Sequence, residues 1–199
     1  MSPRPRKVSD EDVFVAALRA MGRLGPHELT LAAIAEEAGV TAGALVQRFG
    51  SRRALLLALA ARAAEGGDEM FTAIRARHAS PLTALAAYVD GMSGLAATPE
   101  ALARNLAYLQ TDLTDPDLRA CQVRQGRAVR RQLEAWLDEA VAAGEVVAGT
   151  NTRRLARLVE AMISGSMMTW ACYQEGTARG WMRRHLVDLL APYRPRRRS

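Results

Sequence analysis

The sequence predicts an all-α protein of about nine helices, in which a three-helix head is joined by a fourth helix to a larger helical domain. Three observations predict this class. Alanine is abundant and aromatic residues make up only 5% of the 199 residues, which favours helix over sheet. Apolar residues recur every three or four positions, and no segment shows a sustained strand alternation. Capping signals stand in front of the periodic segments.

Polar residues that can cap a helix mark where most of the predicted helices begin. A side-chain oxygen at such a position accepts a hydrogen bond from an unpaired backbone N–H, and proline is tolerated directly after it. At the first of these positions an acidic residue follows three places later, as in a capping box. The candidate caps are Ser9, Ser80, Thr98, Asp115, Asn151 and Thr177.

These signals divide the chain into four parts. We expect residues 1–8 to form a flexible basic arm and residues 194–199 a basic tail, because both are rich in arginine and proline. Residues 9–62 form the head. Residues 63–193 form the larger helical domain, whose apolar stripes have helical spacing.

Charge and cysteine usage limit the class of protein. The formal net charge is +6, with Lys7 as the only lysine, so an anionic partner is permitted. No signal-peptide pattern follows the N-terminus and no uncharged segment is long enough to span a bilayer, so we expect a cytoplasmic protein. Cys121 and Cys172 are far apart in sequence. Because Cys172 lies in an apolar run, we expect it to be a buried, reduced thiol.

The segment LAAIAEEAGVTAGALVQRF, residues 31–49, predicts two short helices that meet at a tight turn. Gly39 suits the left-handed conformation that ends a helix, and Thr41 can cap the next one. Small Ala35 allows the two helices to approach closely. An ordinary helical hairpin is the alternative, but these fixed offsets favour a helix-turn-helix, whose second helix fits the major groove of DNA.

The segment from about Ser9 to Arg62 resembles the DNA-binding domain of the tetracycline-repressor (TetR) family. The resemblance covers the head, and it rests on the order and spacing of the turn residues and on a serine that opens a fourth helix. It implies a transcriptional repressor that binds a near-palindromic operator as a dimer. The matching residues are Gly25, Leu29, Thr30, Ile34, Ala35, Ala38, Gly39, Val40, Gly43, Leu45, Phe49 and Ser51.

The head also departs from the family pattern at four positions. Val46 replaces a usual tyrosine, and it loses a hydroxyl donor but can contact a thymine methyl group. Arg48 stands where histidine or tyrosine is frequent, and it can bind guanine or a phosphate. Arg52 and Arg53 follow the serine in place of lysine and an acid.

Side-chain chemistry assigns roles to the remaining DNA-contact candidates. Gln47 can pair with adenine, while Thr30 and Arg52 stand at helix starts, where phosphates bind. The basic arm, with Arg4, Arg6 and Lys7, either reaches the DNA or is a solvated tail. The predicted DNA-binding residues are Thr30, Thr41, Ala42, Gly43, Val46, Gln47, Arg48 and Arg52.

The resemblance further implies that the C-terminal domain dimerises. The segment from residue 155 to residue 176 is apolar on more than one face, so a second helix surface must cover it. We expect the last two helices to pair with their copies in a second subunit, and a monomer is the alternative. The predicted contact residues are Ser164, Gly165, Ser166, Trp181, Met182, Leu186 and Leu189.

The resemblance also implies a small-molecule inducer, and the sequence suggests an apolar or amphipathic one. Large apolar side chains with nearby amides suit such a ligand, and methionine adapts to irregular shapes. Plain core packing is the alternative for each residue taken singly. The predicted ligand-binding residues are Met92, Leu95, Tyr108, Leu109, Leu113, Trp136, Met162 and Trp170.

The sequence predicts no enzyme activity, catalytic residue, metal site or cofactor. His27, His78 and His185 are scattered, and no nucleophile motif or phosphate-binding glycine loop occurs. Two alternatives stay open. One is a DNA-binding regulator controlled by a protein partner or lacking a ligand pocket. The other is a helical enzyme or carrier whose hairpin only mimics the motif.

Overall fold

The computed structural model describes residues 8–195, and over this range the predicted all-α class is confirmed. Two short 3₁₀ helices, Ser93–Ala96 and Ala191–Tyr193, follow the fifth and ninth α-helices. The α-helices are α1 (Asp10–Arg23), α2 (Leu31–Ala38), α3 (Ala42–Phe49), α4 (Arg52–Ala76), α5 (Pro81–Met92), α6 (Pro99–Thr114), α7 (Pro116–Ala142), α8 (Thr152–Tyr173) and α9 (Ala178–Leu190).

The predicted helix caps are confirmed. At α1 the Ser9 hydroxyl accepts a hydrogen bond from the Asp12 N–H at 3.1 Å, and the Asp12 carboxylate accepts one from the Ser9 N–H at 2.8 Å. Each remaining cap accepts from a backbone N–H two or three residues later, which satisfies a donor that the helix itself leaves unpaired. These caps are Ser80, Thr98, Asp115, Asn151 and Thr177.

Internal contacts divide the chain into two units. The first contains the residues up to Ala63 together with Arg104–Cys121, and the second contains Ala64–Ala103 and the residues from Gln122 onward. The sequence-based division, at residue 62, assigned residues 104–121 to the larger domain. The structure groups them with the head because they pack on its core, a long-range contact that local sequence patterns do not reveal.

The first unit is built around the apolar faces of α1, α2 and α3. Val13, Ile34 and Leu45 are at most 1% exposed. Tyr108 of α6 joins this core, and its hydroxyl donates to the carbonyl of Leu24 at 2.8 Å. Burial raises the pKa of Tyr108, and the nearby charge of Arg52 opposes that rise. The hydroxyl therefore stays a neutral donor.

The second unit has its main core between α5, α7, α8 and α9. Phe71 of α4 is fully buried there, with its ring centroid 4.8 Å from that of Tyr88 and 5.0 Å from that of Trp136. Such tilted aromatic contacts add to the stabilisation from burial. A smaller cluster contains Trp170 and Ala178.

Two expectations for the last two helices are wrong in this structure. Met182 and Leu186 do not face a second subunit, because they are 0% and 3% exposed in their own core. Ser166 also points inward, with its Oγ 3.0 Å from Nδ1 of His185. Cys172 is exposed rather than buried, because it lies on the outward face of α8.

Two further findings concern the membrane-spanning helix that the sequence does not predict and the arm and tail that it does predict. Within the described residues, no helix has the length and hydropathy needed to cross a bilayer. Arg4, Arg6 and Lys7 of the predicted arm, and residues 196–199 of the predicted tail, lie outside the described range.

Candidate nucleic-acid interface

The turn between α2 and α3 determines where the second helix points. Gly39 adopts φ 67° and ψ 33°, a left-handed conformation that favours glycine. The N–H of Val40 then donates to the carbonyl of Ala35 at 2.9 Å, which closes the turn. Ala35 is only 2% exposed, so a larger side chain would not fit between the two helices.

The helix α3 buries one residue and exposes most of the others. Leu45 is 1% exposed and anchors the helix, whereas Val46 is 49% exposed. Gln47 is also exposed, and Gly43 keeps the leading end of the helix small. An exposed short helix with small and polar residues can enter a major groove.

Two threonines cap the two helices of this motif. The Thr30 hydroxyl accepts from the Ala33 N–H at 3.1 Å, and the Thr41 hydroxyl accepts from the Ala44 N–H at 3.2 Å. A hydroxyl that accepts in this way still has its hydrogen to donate, for example to a phosphate oxygen.

The two arginines that were predicted to contact DNA, Arg48 and Arg52, form hydrogen bonds with other residues of the head. Arg48 donates from Nη1 to the carbonyl of Val8 at 2.8 Å and forms an ion pair with Asp10. Its guanidinium also lies over the ring of Phe49, 5.5 Å from the centroid. Arg52 donates to the carbonyl of Pro26, and its Nε is buried without a hydrogen-bond partner among the described residues.

The helix-turn-helix is matched by a known family. Residues 13–59 match the family model described as "Bacterial regulatory proteins, tetR family". The head of the chain is therefore similar to the DNA-binding domain of that family. The matched residues run from α1 into α4 and so contain the whole turn and the exposed face of α3.

Solved structures of transcriptional regulators share this fold over nearly the whole chain. A TetR regulator from Haloarcula marismortui has a TM-score of 0.75 at 16% identity, with 94% of this chain and 98% of that chain covered. FadR from Bacillus subtilis, in complex with stearoyl-CoA, has a TM-score of 0.67 at 20% identity, with 92% and 98% covered. The Thermus thermophilus repressor FadR, in complex with lauroyl-CoA, has a TM-score of 0.60 at 20% identity, with 96% and 98% covered.

At these identities the likeness is one of fold. No curated protein sequence matches the chain significantly. The contacts of this chain must therefore be derived from its own residues.

An ion-pair cluster in the first unit was not predicted from the sequence. Arg53 donates from Nε to Asp115 at 2.6 Å and from Nη2 to Asp117 at 2.6 Å. Asp115 also accepts from the N–H groups of Asp117 and Leu118, so it caps α7 as predicted. The partners are 62 and 64 residues apart, and a single sequence holds no signal for such a pairing.

The predicted ligand-binding residues fall into several places. Met92, Trp136 and Met162 belong to the main core of the second unit or pack against it. Trp170 belongs to the smaller cluster of that unit, and Tyr108 to the core of the first unit. The remaining three side chains are exposed, and they are Leu95, Leu109 and Leu113.

The hydroxyl of Tyr88 is a polar group within the core against which Met92 and Met162 pack. Tyr88 is 6% exposed, and its pKa is raised to about 12, first by burial and then by the charge of Glu160. Glu160 in turn pairs with Arg130 at 2.7 Å. Two open clefts of about 530 and 490 Å³ lie elsewhere on this unit, and both are lined by Thr83 and Arg183 and by none of the predicted ligand residues.

We expect Asp115→Asn to lower the free energy of unfolding at neutral pH. The hydrogen bond from Arg53 is the main reason that the pKa of Asp115 is about 2, below its ordinary 3.8. Because the ionised form is the one bound, this stabilisation is present above the ordinary pKa and is lost as the pH falls through the lowered one. In urea titrations the difference from wild type should therefore shrink below about pH 4.

The matched control is Arg53→Ala. In that background Asp115→Asn should cost less, since the charged partner has gone. A difference between wild type and Asp115→Asn that stayed constant at all pH values would contradict the assigned role of the carboxylate.

Proposed function

We propose that this chain is a transcriptional repressor that binds a near-palindromic operator as a dimer and is released by a small amphipathic ligand. The observation that carries the proposal is the exposed face of α3 beside the turn at Gly39. That face contains polar Gln47 and apolar Val46, which suit base edges, and it is flanked by the threonine caps.

The DNA contacts divide into two kinds. Gln47 and Val46 face outward in mid-helix, and these are the residues assigned to base edges. Thr30 and Thr41 stand at helix N-termini, where N–H groups and hydroxyls favour phosphate oxygens. Phosphate contacts position the head, and the base contacts select the sequence.

Replacement of Gln47 by alanine should reduce discrimination between operator and unrelated DNA. If the amide pairs with adenine, its loss costs about 1–3 kcal/mol at that base pair and little on non-specific DNA. Gel-shift titrations on DNA from upstream of the protein's own gene, against scrambled DNA, measure both affinities.

Gln110→Ala is the matched control for that prediction. It removes the same amide from an exposed position on α6. Unchanged discrimination in Gln47→Ala would mean that this face of α3 does not contact bases. An absence of specific binding by wild type would favour a helical protein that only mimics the motif.

The proposed dimer uses the outward faces of α8 and α9. Met168 of α8 is 48% exposed, although it is large and apolar. Cys172 is exposed on the same stripe of α8 as Gly165, where an added Cβ would meet nothing within 4 Å. This face therefore offers small and apolar side chains that a second copy of the chain can cover. Twofold pairing would present two recognition helices to successive major grooves, about 34–36 Å apart.

Met168→Asp should yield a monomer with weakened operator binding. The substitution introduces a charge on the exposed face and leaves the core intact. A single head makes half of the phosphate contacts, so we expect at least about a ten-fold loss of affinity. Light scattering gives the mass, and thermal melting shows whether the fold is kept.

Met70→Asp provides the control, because Met70 is 45% exposed and belongs to α4 and not to the last two helices. It should keep both mass and affinity. If wild type is monomeric at micromolar concentration, the proposed dimer is wrong.

The proposed ligand region is the part of the second unit around Tyr88. Met92 and Met162 pack against this core, and a buried hydroxyl with a neighbouring carboxylate gives it a polar group. Apolar lining with few polar groups is typical of small-molecule sites. The acyl-CoA complexes of the two FadR structures make acyl-CoA thioesters and free fatty acids the first ligands to test.

A ligand that releases DNA must bind the DNA-free state more tightly. Ten-fold release corresponds to about 1.4 kcal/mol of coupling, and DNA must weaken the ligand equally. Met162→Trp should weaken ligand binding while leaving DNA binding of the unliganded protein unchanged, because Met162 is remote in sequence from α3. Titration of lauroyl-CoA with and without operator measures the coupling.

Met70→Trp serves as the control, because it adds the same bulk at an exposed site. Equal acyl-CoA affinity with and without operator would exclude this coupling. No binding by any thioester or fatty acid would favour a regulator controlled by a protein partner.

A further inference from the structure

The loop between α1 and α2 is held by two side chains that come from other helices. The hydroxyl of Tyr108, on α6, donates to the carbonyl of Leu24 at 2.8 Å. Nη2 of Arg52, the first residue of α4, donates to the carbonyl of Pro26 at 2.5 Å. Within the described chain, these two carbonyls accept from side chains and not from backbone N–H groups. The hydrogen bonds of this loop therefore depend on both donors.

Both donors are fixed by the packing of the first unit. Tyr108 is 8% exposed and belongs to the core of that unit. Arg52 is half-buried, and its positive charge is close enough to act on the pKa of Tyr108. The Nε of Arg52 is also buried. The guanidinium is thus directed into the head, which differs from the phosphate contact predicted for it.

The held loop leads directly into the start of α2. The carbonyl of Gly25 accepts from the N–H groups of Glu28 and Leu29, at 3.1 and 3.0 Å, so the loop is a compact turn. Leu29 is 1% exposed and anchors the end of the turn in the core. Thr30 follows, and its hydroxyl caps α2. The loop therefore sets the position of the Thr30 hydroxyl and of the first N–H groups of α2.

We propose that Tyr108 and Arg52 are positioning residues, which hold the loop between α1 and α2 so that the start of α2 can bind a DNA phosphate. This inference rests on the proposed function, in which Thr30 contacts a phosphate oxygen. It gives Tyr108 a role in the head in place of the predicted ligand contact, and it makes the role of Arg52 indirect. A carbonyl that loses its donor must find another partner, so removal of either side chain favours a displaced loop.

Tyr108→Phe tests the proposal, because it removes one hydroxyl and changes neither the ring nor the net charge. It should weaken binding of DNA from upstream of the protein's own gene about five-fold, through the loss of a phosphate contact. Because such a contact is made to every duplex, binding of scrambled DNA should fall by a similar factor. The slope of log K against log salt should fall by up to about 0.9. Fluorescence anisotropy at several salt concentrations measures all three quantities.

Two double-mutant cycles locate the effect at α2. In a Thr30→Ala background, Tyr108→Phe should cost less than about two-fold, since the contact that it supports has already gone. In a Gln47→Ala background the full cost of about five-fold should remain, because Gln47 lies on α3 and is assigned to a base edge. Thermal melting shows whether each variant keeps the fold. A purely structural role of the hydroxyl would lower the melting temperature and leave the salt slope unchanged.

Tyr193→Phe is the matched control. It removes a hydroxyl from a half-buried tyrosine that packs against the core of the second unit, so DNA affinity and salt slope should stay at their wild-type values.

Arg52→Lys tests the second positioning residue, and it does so even if Tyr108→Phe does not fold. Lysine keeps the charge but lacks the planar guanidinium fork. The variant should therefore resemble Tyr108→Phe if Arg52 acts through the carbonyl of Pro26. Wild-type affinity and slope would overturn this role and assign Arg52 to direct contact with a phosphate.

The role of Tyr108 is overturned if Tyr108→Phe binds DNA as tightly as wild type with the same salt slope. It is also overturned if the cost of Tyr108→Phe is the same with and without the Thr30 hydroxyl. Failure of wild type to bind any DNA would instead overturn the proposed function, and this inference with it.

Discussion

The hydrogen bond from the Val40 N–H to the carbonyl of Ala35 is the constraint on which the presentation of α3 depends. It forms only because Gly39 is left-handed, a conformation that costs a residue with a Cβ about 1–2 kcal/mol. The turn ends α2 and sets the direction of α3, so that Leu45 faces the core and Gln47 faces outward. The chemistry available to the exposed face follows from that direction.

A second constraint is the charge balance around the head. Arginine supplies nearly all of the positive charge, and several of these side chains are held by carboxylates. An exposed pair of this kind contributes little stability by itself. Its effect is to fix orientation, since a guanidinium that donates to two acceptors has few alternative rotamers. In this head, the carboxylates therefore fix the orientation of the positively charged side chains.

The sequence could predict what depends on neighbours in the chain. Caps such as Ser9 and Asp115, the turn glycine and the inward Leu45 are local features with distinctive spacing, and each is confirmed. Features that depend on residues far apart could not be predicted. The sequence around Met182 does not show which apolar face of the helix packs into the core of its own chain. Cys172 lies in an apolar run, so its exposure becomes evident only once the packing of α8 is known. The pairings of Arg48 and Arg53 could not be predicted for the same reason, because a single sequence contains no record of contacts across 40 or 62 residues.

The first unit is discontinuous in sequence, since residues 104–121 complete it. Tyr108 donates to a backbone carbonyl in the head, and Asp115 neutralises Arg53 at the start of α4. A chimaera that grafted only the first 63 residues onto another regulatory domain would leave that carbonyl and that guanidinium without their partners. Transfer of this head to another regulatory domain therefore requires transfer of both segments, or redesign of the recipient's corner that corresponds to α6 and α7. The part of this chain that can be transferred as one unit is therefore defined by packing contacts and not by a continuous stretch of sequence.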